Sequence, residues 1–485
     1  MGAPTSDVLA AADRAIGGAI EAATLVHHRR RLRKLGHRDS IDPPPGDWWA
    51  AGEPAPRAGN ELEVLVDGGA VLPAIVEAIR GARRHVHIAG WCVTPHFALT
   101  GDEPPVVLRE LLAEAAERVD VRVLLWAGAP VAVFHPDRKE VREARDELVA
   151  NTRIRVALDA RERPLHCHHE KLVIVDDELA FVGGVDLTSF GGDRFDTPAH
   201  PARGRLGWHD AACRLRGPAV TDVAEHFRGR WQEVAGEPLP VPAPQPPAGD
   251  VEVQVVRTLP EHLYTFAPRG DFRILESYLR ALRGAQRLVY LESQFLWAPA
   301  VVDVLADKLR HPPSDDFRVV VVLPSKANNG EEDSRGQVAA LADADRGAGR
   351  FLATTIWART GRTLDRVYVH AKIGIVDDRW LTVGSANLND HSLFNDGEVN
   401  LVTHDREVVR RTRLALWAEH LERETSEVDG DPAAVVDGLW RPIAREQLEH
   451  ARRGESRTHR LIELPPVSRR LRRLLGPLDG LVVDA

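Results

Sequence analysis

Hydrophobic segments with the spacing of β-strands alternate with amphipathic helical segments through most of this 485-residue chain. Strands that alternate with helices are typical of a parallel or mixed sheet covered by helices on its faces. The pattern therefore predicts an α/β fold of two pseudo-symmetric lobes, each a mixed β-sheet flanked by helices. The predicted elements are helices over Val71–Arg84, Val106–Arg118, Leu275–Arg287 and Val301–Leu309, and strands over His85–Gly90, Val121–Trp126, Leu288–Gln294 and Arg318–Leu323.

This order of elements occurs twice, and short sequences repeat with it. Ala78–Ala82 matches Ala281–Ala285 without a gap at an offset of 203 residues. A proline-rich segment, typical of a semi-rigid extended spacer, separates the two halves. The predicted organisation is an N-terminal basic helical extension over 1–60, a first lobe over 61–236, a linker over 237–249, a second lobe over 250–430 and a C-terminal tail over 431–485.

Composition indicates a globular protein, since 44% of the residues are hydrophobic and 28% are charged. No apolar run approaches the roughly 20 residues that span a bilayer. Met1–Ala23 lacks the pattern of a secretory signal, so we expect a cytoplasmic protein. Basic residues within His27–His37 and Arg469–Leu475 fit either solvated surfaces or peripheral contact with anionic lipid, which leaves a peripheral membrane location open.

The net charge of −9 disfavours bulk nucleic-acid binding, so no nucleic-acid partner is expected. Only six of the 63 basic residues are lysines, and two of them, Lys171 and Lys372, occupy equivalent places in the repeat. A compact ammonium group at both places, in a chain otherwise rich in arginine, indicates a specific requirement for lysine.

Those lysines belong to a motif that occurs once in each half. His169 and Lys171 precede an apolar run and Asp176, with Gly183 following seven residues later. His370, Lys372, Asp377 and Gly384 have the same spacing, and both the histidines and the glycines are 201 residues apart. We expect the motif to lie on a buried strand, where residues i and i+2 share a face.

The two copies together offer the chemistry of a phosphodiester site. Histidine is a nucleophile or acid–base group near neutral pH, and each lysine adds a fixed positive charge. The hydroxyl of Ser385 and the amide of Asn387 would add hydrogen-bond donors for anionic oxygens. Asp176 and Asp377 are better placed to brace the turns that follow their strands than to reach the histidines.

Both motifs resemble the duplicated His-x-Lys-x4-Asp signature of the phospholipase D superfamily, and the resemblance covers about residues 62–425. Segments around the motifs are similar to the phospholipase branch of that family. They are Gly183–Leu187, Arg194–Pro198, Trp208–Asp210, Gly217–Ala219 and Arg230–Trp231 in the first half, and Tyr290–Phe295, Gly384–Asn389 and Asp396–Glu398 in the second.

The resemblance implies roles for these residues. His169 would attack phosphorus, and His370 would protonate the leaving alcohol and then activate water. The family counts Lys171, Asp176, Lys372 and Asp377 with the catalytic motif, and Asp186, Ser385 and Asn387 with the substrate-binding residues. Of the carboxylates that orient the histidines, Glu398 matches His370 and Asp196 matches His169.

Two positions leave alternatives open. Asp186 stands where many relatives carry asparagine, and we take it as a marker of the phospholipase branch. His209 and Asp210 would either reach the site or form a core histidine satisfied by a neighbouring carboxylate.

A metal site in the cluster His166–His169 is the rival interpretation of the first motif. In a strand, Cys167 and His169 share one face while the other two histidines share the opposite face, which does not close a tetrahedron. We therefore expect no metal and no cofactor. Trp91, Trp126 and Phe295 either line a lipid-facing rim or belong to the core.

These observations predict a monomeric phospholipase D-type phosphodiesterase that acts on a phospholipid substrate. It would hydrolyse glycerophospholipid headgroups through a phosphohistidine, with transphosphatidylation when an alcohol competes. The alternatives are a cardiolipin synthase-like phosphatidyltransferase and a nuclease of the same superfamily. A non-catalytic scaffold is disfavoured because both histidines and both lysines are present.

Overall fold

Most strands of both halves of the chain join in one large mixed sheet, and three others, Gly207–His209, Trp357–Thr360 and Thr363–Val369, form a separate small sheet. The computed structural model describes residues 21–131, 134–163, 166–192, 194–326 and 331–465. The strands are β1 (Arg57–Val66), β2 (His85–Gly90), β3 (Asp120–Trp126), β4 (Arg155–Asp159), β5 (Leu172–Val175), β6 (Leu179–Gly183), β7 (Gly207–His209), β8 (Ala211–Arg216), β9 (Val251–Leu259), β10 (Asp271–Phe272), β11 (Leu288–Glu292), β12 (Arg318–Val322), β13 (Phe351–Thr355), β14 (Trp357–Thr360), β15 (Thr363–Val369), β16 (Ile373–Val376), β17 (Trp380–Gly384), β18 (Glu398–Thr403) and β19 (Ile462–Glu463).

Helices cover both faces of this sheet. They are α1 (21–35), α2 (Arg38–Ile41), α3 (Gly68–Gly81), α4 (Leu108–Ala116), α5 (Arg138–Val149), α6 (Val220–Ala235), α7 (Arg273–Gly284), α8 (Pro299–Arg310), α9 (Glu331–Asp345), α10 (Asp390–Phe394), α11 (Arg406–Leu421), α12 (Thr425–Val428), α13 (Pro432–Val435) and α14 (Arg441–Arg452), with a π-helical turn at Val436–Trp440. None of the helices in the described ranges is both long and apolar enough to cross a membrane.

The order of strands in the sheet is the same on both sides of its centre. From the centre outward the first half contributes β1, β8, β6, β5, β2, β3 and β4, and the second half contributes β9, β18, β17, β16, β11, β12 and β13. β1 and β9 pair antiparallel at the centre, β10 pairs with β9, and β19 extends the outer edge. This arrangement confirms the predicted α/β fold of two pseudo-symmetric halves.

The eight helices and strands predicted from the hydrophobic pattern are all present, with ends that differ by a few residues. Strands β5, β6, β16 and β17 bury both faces. In β5, Leu172 and Ile174 contact a core beneath α6 and α11, whereas Val173 and Val175 contact the core beneath α3 and α4. Alternate side chains of a strand point to opposite faces, so near-continuous apolar strands are what two covered faces require.

The segments outside the two lobes have different outcomes. Helix α1 packs on the second half, where Leu25 and Leu32 join a hydrophobic core and Arg31 forms a largely buried ion pair with Glu261. Residues 237–248 form neither helix nor strand, and the division of the chain into domains stays a prediction. The basic segment Arg469–Leu475 lies outside the described residues.

The motif aspartates brace turns, but these are not the turns after their own strands that the sequence predicted. Asp176 follows β5 and accepts hydrogen bonds of 2.7–2.9 Å from the backbone N–H groups of residues 83–85. Asp377 follows β16 and accepts bonds of 2.7–2.8 Å from residues 286–288. Each carboxylate fixes the turn between a helix and its following strand. We assign both a structural role in place of the catalytic one that the family resemblance implied.

We expect Asp176→Ala to lower the free energy of unfolding by about 2–4 kcal/mol, because three backbone donors lose a charged acceptor. Urea denaturation would measure the loss, with Asp102→Ala, an exposed position, as the control. Folded Asp176→Ala should retain turnover per molecule. A loss of turnover as large as that of a motif histidine variant would return Asp176 to the catalytic residues.

Candidate active site

The two His-x-Lys segments lie directly before β5 and β16, not within them as predicted. The reason is that their backbone groups pair across the molecule. The N–H of His169 donates to the carbonyl oxygen of Gly397 at 2.8 Å, and the N–H of His370 donates to that of His209 at 2.8 Å. Each motif therefore leaves its own half of the sheet to pair with the other half.

This exchange brings the two motif histidines together. The ring centroids of His169 and His370 are 6.4 Å apart with an interplanar angle of 71°, and both side chains are buried. Near-attack geometry needs reacting atoms about 3–3.5 Å apart, so one phosphorus atom between the rings would come within reach of both. The repeat predicted this convergence.

A carboxylate from the opposite half of the chain holds each ring. Nδ1 of His169 lies 3.1 Å from both the carbonyl oxygen of Ser385 and Oε1 of Glu398. Nδ1 of His370 lies 2.6 Å from Oδ2 of Asp210. The expected pairing of Glu398 with His370 is thus wrong. It failed because each motif pairs with the half to which it does not belong.

The hydrogen bonds to Nδ1 also set the tautomers. A carbonyl oxygen only accepts, so Nδ1 of His169 carries the proton and the lone pair of the neutral ring is on Nε2. An ionised Asp210 imposes the same tautomer on His370. Burial and the nearby cation of Lys372 hold the pKa of His370 well below its usual value.

Asp196 lies away from His169, contrary to the expected pairing. Its Oδ2 is 3.2 Å from Nδ1 of His200, and its Oδ1 is 3.1 Å from the guanidinium of Arg203. His209 is a buried core histidine between two carboxylates, and its neighbour Asp210 reaches the site. Of the two alternatives that the sequence left open, His209 is the core histidine and Asp210 is the residue that reaches the site.

The two lysines supply buried positive charge beside the histidines. Nζ of Lys171 donates to the carbonyl oxygen of His169 at 2.6 Å and lies 3.4 Å from Oδ2 of Asp186. Nζ of Lys372 donates to the carbonyl oxygen of His370. Burial, which outweighs the attraction of Asp210, lowers the pKa of Lys372 to about 7. Asp186 thus neutralises a lysine, which accounts for a carboxylate at this position.

The predicted substrate-binding residues of the second half are close to these groups. The hydroxyl of Ser385 donates to Glu398 and accepts a bond of 3.1 Å from the N–H of Val399. The amide of Asn387 donates to Oε1 of Gln294 at 3.3 Å. The serine hydroxyl is therefore engaged with the orienting carboxylate, and a direct role of either residue in substrate binding stays a prediction.

Arg194 is a charged residue of the site that sequence reasoning did not single out. Its guanidinium lies 3.7 Å above the ring of Trp208, whose centroid is 4.5 Å from that of His370. The side chain is buried, and its Nε and Nη1 atoms have no hydrogen-bond partner in the described part of the chain. Its place in the family-like segment Arg194–Pro198 was the available signal.

The rival metal cluster of the first motif is dispersed. Nδ1 of His166 lies 2.8 Å from Nδ1 of His391, whereas Nε2 of His168 lies 3.4 Å from Asp159. Together with His169, which faces Glu398, these rings point to three different partners and share no common centre.

Trp91, Trp126 and Phe295 are all buried and belong to the core, although the Trp91 ring is 6.5 Å from that of His169.

The fold and the site define a duplicated α/β protein whose two halves share one centre built from two histidines and two lysines. Family models match each half: "Phospholipase D" matches residues 78–207, and "Cardiolipin synthase, PLD-like domain" matches residues 278–417. The chain belongs to the phospholipase D superfamily.

Similar proteins include phospholipase D A of Dictyostelium discoideum, 27% identical over 74% of this chain, and phospholipase D1 of Schizosaccharomyces pombe, 25% identical over 81%. The chain spans 35% and 38% of their respective lengths. The phosphatidylserine synthase of Haemophilus influenzae has a similar fold, with a TM-score of 0.50 at 12% identity, over 81% of this chain and 93% of that one.

We expect Asp210→Asn to lower kcat for a phosphodiester about 10³–10⁴-fold, as a changed tautomer does in a catalytic triad. Oδ1 of Asp210 accepts the N–H of Ala211 at 2.8 Å, so the asparagine amide group would face His370. Its N–H would then donate to Nδ1 and shift the ring proton to Nε2.

Steady-state kinetics, with ¹⁵N NMR of the His370 ring, would measure both effects. Asp271→Asn is the matched control, because Asp271 is a buried carboxylate paired with Arg273 outside the site. Wild-type kcat in Asp210→Asn would remove Asp210 from the active site.

Proposed function

We propose that this protein is a phosphodiesterase of the phospholipase D type that hydrolyses the headgroup ester of glycerophospholipids. The observation that carries the proposal is the pair of buried imidazoles 6.4 Å apart, each held at Nδ1 and accompanied by a lysine. With two histidines around one phosphorus, one ring can attack the phosphorus while the other protonates the leaving alcohol. The names of the similar proteins support the choice of a phospholipid substrate.

In the first step, Nε2 of His169 attacks phosphorus. The P–N bond forms as the P–O bond to the headgroup breaks, and protonated His370 gives its proton to the departing alcohol oxygen. His370 is neutral in the empty site. A bound phosphate would offset the surrounding cations and raise its pKa, so that substrate binding itself would prepare the acid.

In the second step, neutral His370 takes a proton from water. The water oxygen attacks phosphorus, the P–N bond breaks, and phosphatidate leaves with His169 restored. An alcohol in place of water would give transphosphatidylation through the same atoms. Two histidines therefore suffice for both halves of the reaction, and each proton removed is returned.

The positive charge of the site matches a phosphodiester anion. Lys171, Lys372 and Arg194 are buried cations, and the first is partly neutralised by Asp186. Charge-assisted hydrogen bonds to phosphoryl oxygens strengthen as charge accumulates on those oxygens in the transition state. We assign Lys171 and Lys372 to those oxygens, and Arg194 to the same anion from beside His370.

A groove near the site, apolar on one side and acidic on the other, supports a lipid rather than a nucleic acid. A cavity of about 220 Å³ is lined by Val93, Pro95, Leu125 and Phe190 and also by three glutamates, Glu140, Glu143 and Glu147, which would repel a polyanion. The Phe190 ring lies 5.9 Å from that of Trp91, which in turn adjoins His169. Two aromatic rings thus lie between the groove and the reacting centre, and a lipid chain would lie along the apolar side of the groove.

A phosphatidyltransferase is the second candidate, favoured by the cardiolipin synthase-like domain model that matches the second half. Both activities would pass through the same intermediate, and only the acceptor differs.

Three further properties stay predictions of the sequence: a cytoplasmic location, peripheral membrane contact through the basic segments and a monomeric state.

The direct test is release of headgroups from mixed micelles of phosphatidylcholine and phosphatidylethanolamine, followed by detection of phosphatidate. We expect His169→Ala and His370→Ala each to lose several powers of ten in kcat, because the two histidines act as one unit. His226→Gln, a buried histidine paired with Glu170, is the matched control.

Phosphatidylglycerol supplied as substrate and acceptor would distinguish the second candidate. Cardiolipin formation without phosphatidate release would favour the transferase. Folded protein that is inert on all these lipids would overturn the lipid proposal.

The assignment of the nucleophile has its own test. Rapid acid quench during turnover, followed by peptide mapping, should place the phosphorylated residue at His169 alone. His370→Ala should accumulate that species, because the base for hydrolysis is missing. Phosphorylation at His370 would reverse the two roles.

A further inference from the structure

A second cluster of titratable side chains lies behind the candidate active site, and the proposed reaction does not use it. The cluster combines residues of both halves of the chain, and all of its side chains are at least nine-tenths buried. Its inner members are Asp67, His200, His209, Glu419 and His420.

The inner atoms of this cluster lie at short and similar separations. Nε2 of His200 is 3.1 Å from both Oδ2 of Asp67 and Oε1 of Glu419. Nδ1 of His209 is 3.0 Å from Oδ1 of Asp67 and 3.8 Å from Oε1 of Glu419. Nδ1 of His420 is 3.5 Å from the same glutamate oxygen. Three imidazole nitrogens thus converge on two carboxylates.

These separations match the edges of a metal coordination shell. Ligand atoms about 2.1 Å from one ion are about 3.0 Å apart along an octahedral edge and about 3.4 Å apart along a tetrahedral edge. The four separations among Asp67, His200, His209 and Glu419, between 3.0 and 3.8 Å, span both values. A single ion would therefore fit among these four donors with small adjustments of the side chains.

The outward-facing nitrogen of each ring meets another carboxylate. Nδ1 of His200 is 3.2 Å from Asp196, Nε2 of His209 is 2.7 Å from Glu292, and Nε2 of His420 is 3.0 Å from Glu292. Histidines that bind metals commonly donate their second N–H to a carboxylate, which directs the lone pair of the other nitrogen toward the ion. All three rings have this arrangement.

Charge balance favours a divalent ion. The cluster contains four carboxylates, and two guanidinium groups approach it, Arg203 beside Asp196 at 3.1 Å and Arg460 beside Glu419 at 3.9 Å. With neutral imidazoles two negative charges remain, and one divalent cation neutralises them. Buried charge is costly unless it is compensated.

We propose that Asp67, His200, His209 and Glu419 bind one divalent transition-metal ion, of which zinc is the best probe. Imidazole and carboxylate ligands suit zinc, and the buried donors leave no path for a substrate, so the role is structural. This replaces the expectation of a metal-free protein drawn from the sequence.

The ion would fix the strand that positions a motif histidine. The carbonyl oxygen of His209 accepts the N–H groups of His370 and Ala371 at 2.8 and 3.0 Å, and the next residue, Asp210, holds the His370 ring. Ligands from β7 and from the end of α11 join the two halves at this point. The site would thus stabilise the interface between the halves.

The test begins with the full chain produced in zinc-supplemented medium and dialysed against metal-free buffer. Mass spectrometry of the metals should find about one zinc ion per chain. X-ray absorption at the zinc edge should show a shell of nitrogen and oxygen ligands that includes about two imidazoles. After chelation, Zn²⁺ should restore a Tm higher by about 5 °C or more.

Variants locate the ion within the cluster. His200→Gln and Glu419→Gln should lose the bound zinc, while Glu292→Gln should weaken zinc binding about 10–100-fold without abolishing it. His226→Gln should keep a full equivalent. If the first two variants do not fold, the absorption spectrum of the Co²⁺-substituted wild type decides, since its visible bands report the ligand set.

Protein that carries no metal and whose Tm does not respond to Zn²⁺ or Co²⁺ would overturn the proposal. The cluster would then be a network of protonated histidines and ionised carboxylates. Equal loss of zinc in His226→Gln, or a ligand shell with fewer than two imidazoles, would also overturn it, because the ion would lie elsewhere.

Discussion

The structure depends on an exchange of backbone hydrogen bonds between its two halves. Each motif histidine donates its N–H to a carbonyl oxygen of the opposite half, at Gly397 before β18 for His169 and at His209 before β8 for His370. Without this exchange, each half would hold one histidine and one lysine with no partner. With it, two incomplete sites become a single centre, because each segment delivers its side chains across the interface.

The same exchange explains which features the sequence predicted and which it did not. Equal offsets of 201 residues revealed the duplication, and hydrophobic periodicity gave the helices and strands. Periodicity carries no information about which half a carboxylate faces, so the sequence pairs Glu398 with the wrong ring and offers Asp196 in place of Asp210. Strands β8 and β18 occupy equivalent places in the sheet, and Asp210 and Glu398 stand at their starts. That equivalence is a property of topology, not of spacing along the chain.

The buried charges form two groups, which differ in whether other groups of the protein compensate them. The turn aspartates and the ion pairs around Arg230 and Asp159 are satisfied within the protein, so they stabilise the fold. Around the motif histidines, burial instead lowers the pKa of both His370 and Lys372, which means that their charged forms lack full compensation. An anionic ligand supplies that compensation. A site of this kind would favour an anionic ligand, because its cations are only partly neutralised within the protein.

The segment Trp208–Asp210 connects the buried histidine–carboxylate cluster to the motif histidine His370. Trp208, His209 and Asp210 alternate between the two, since Trp208 and Asp210 contact His370 while the His209 ring turns to Asp67 and Glu292. Successive side chains of a strand point to opposite faces, so whatever fixes His209 also fixes the carboxylate beside it. The separation of Asp210 from His370 is then set from behind the site by rigid, fully buried contacts. A reaction that needs two rings aligned on one phosphorus gains from that rigidity, because displacements of about 1 Å cost about 10²-fold in rate.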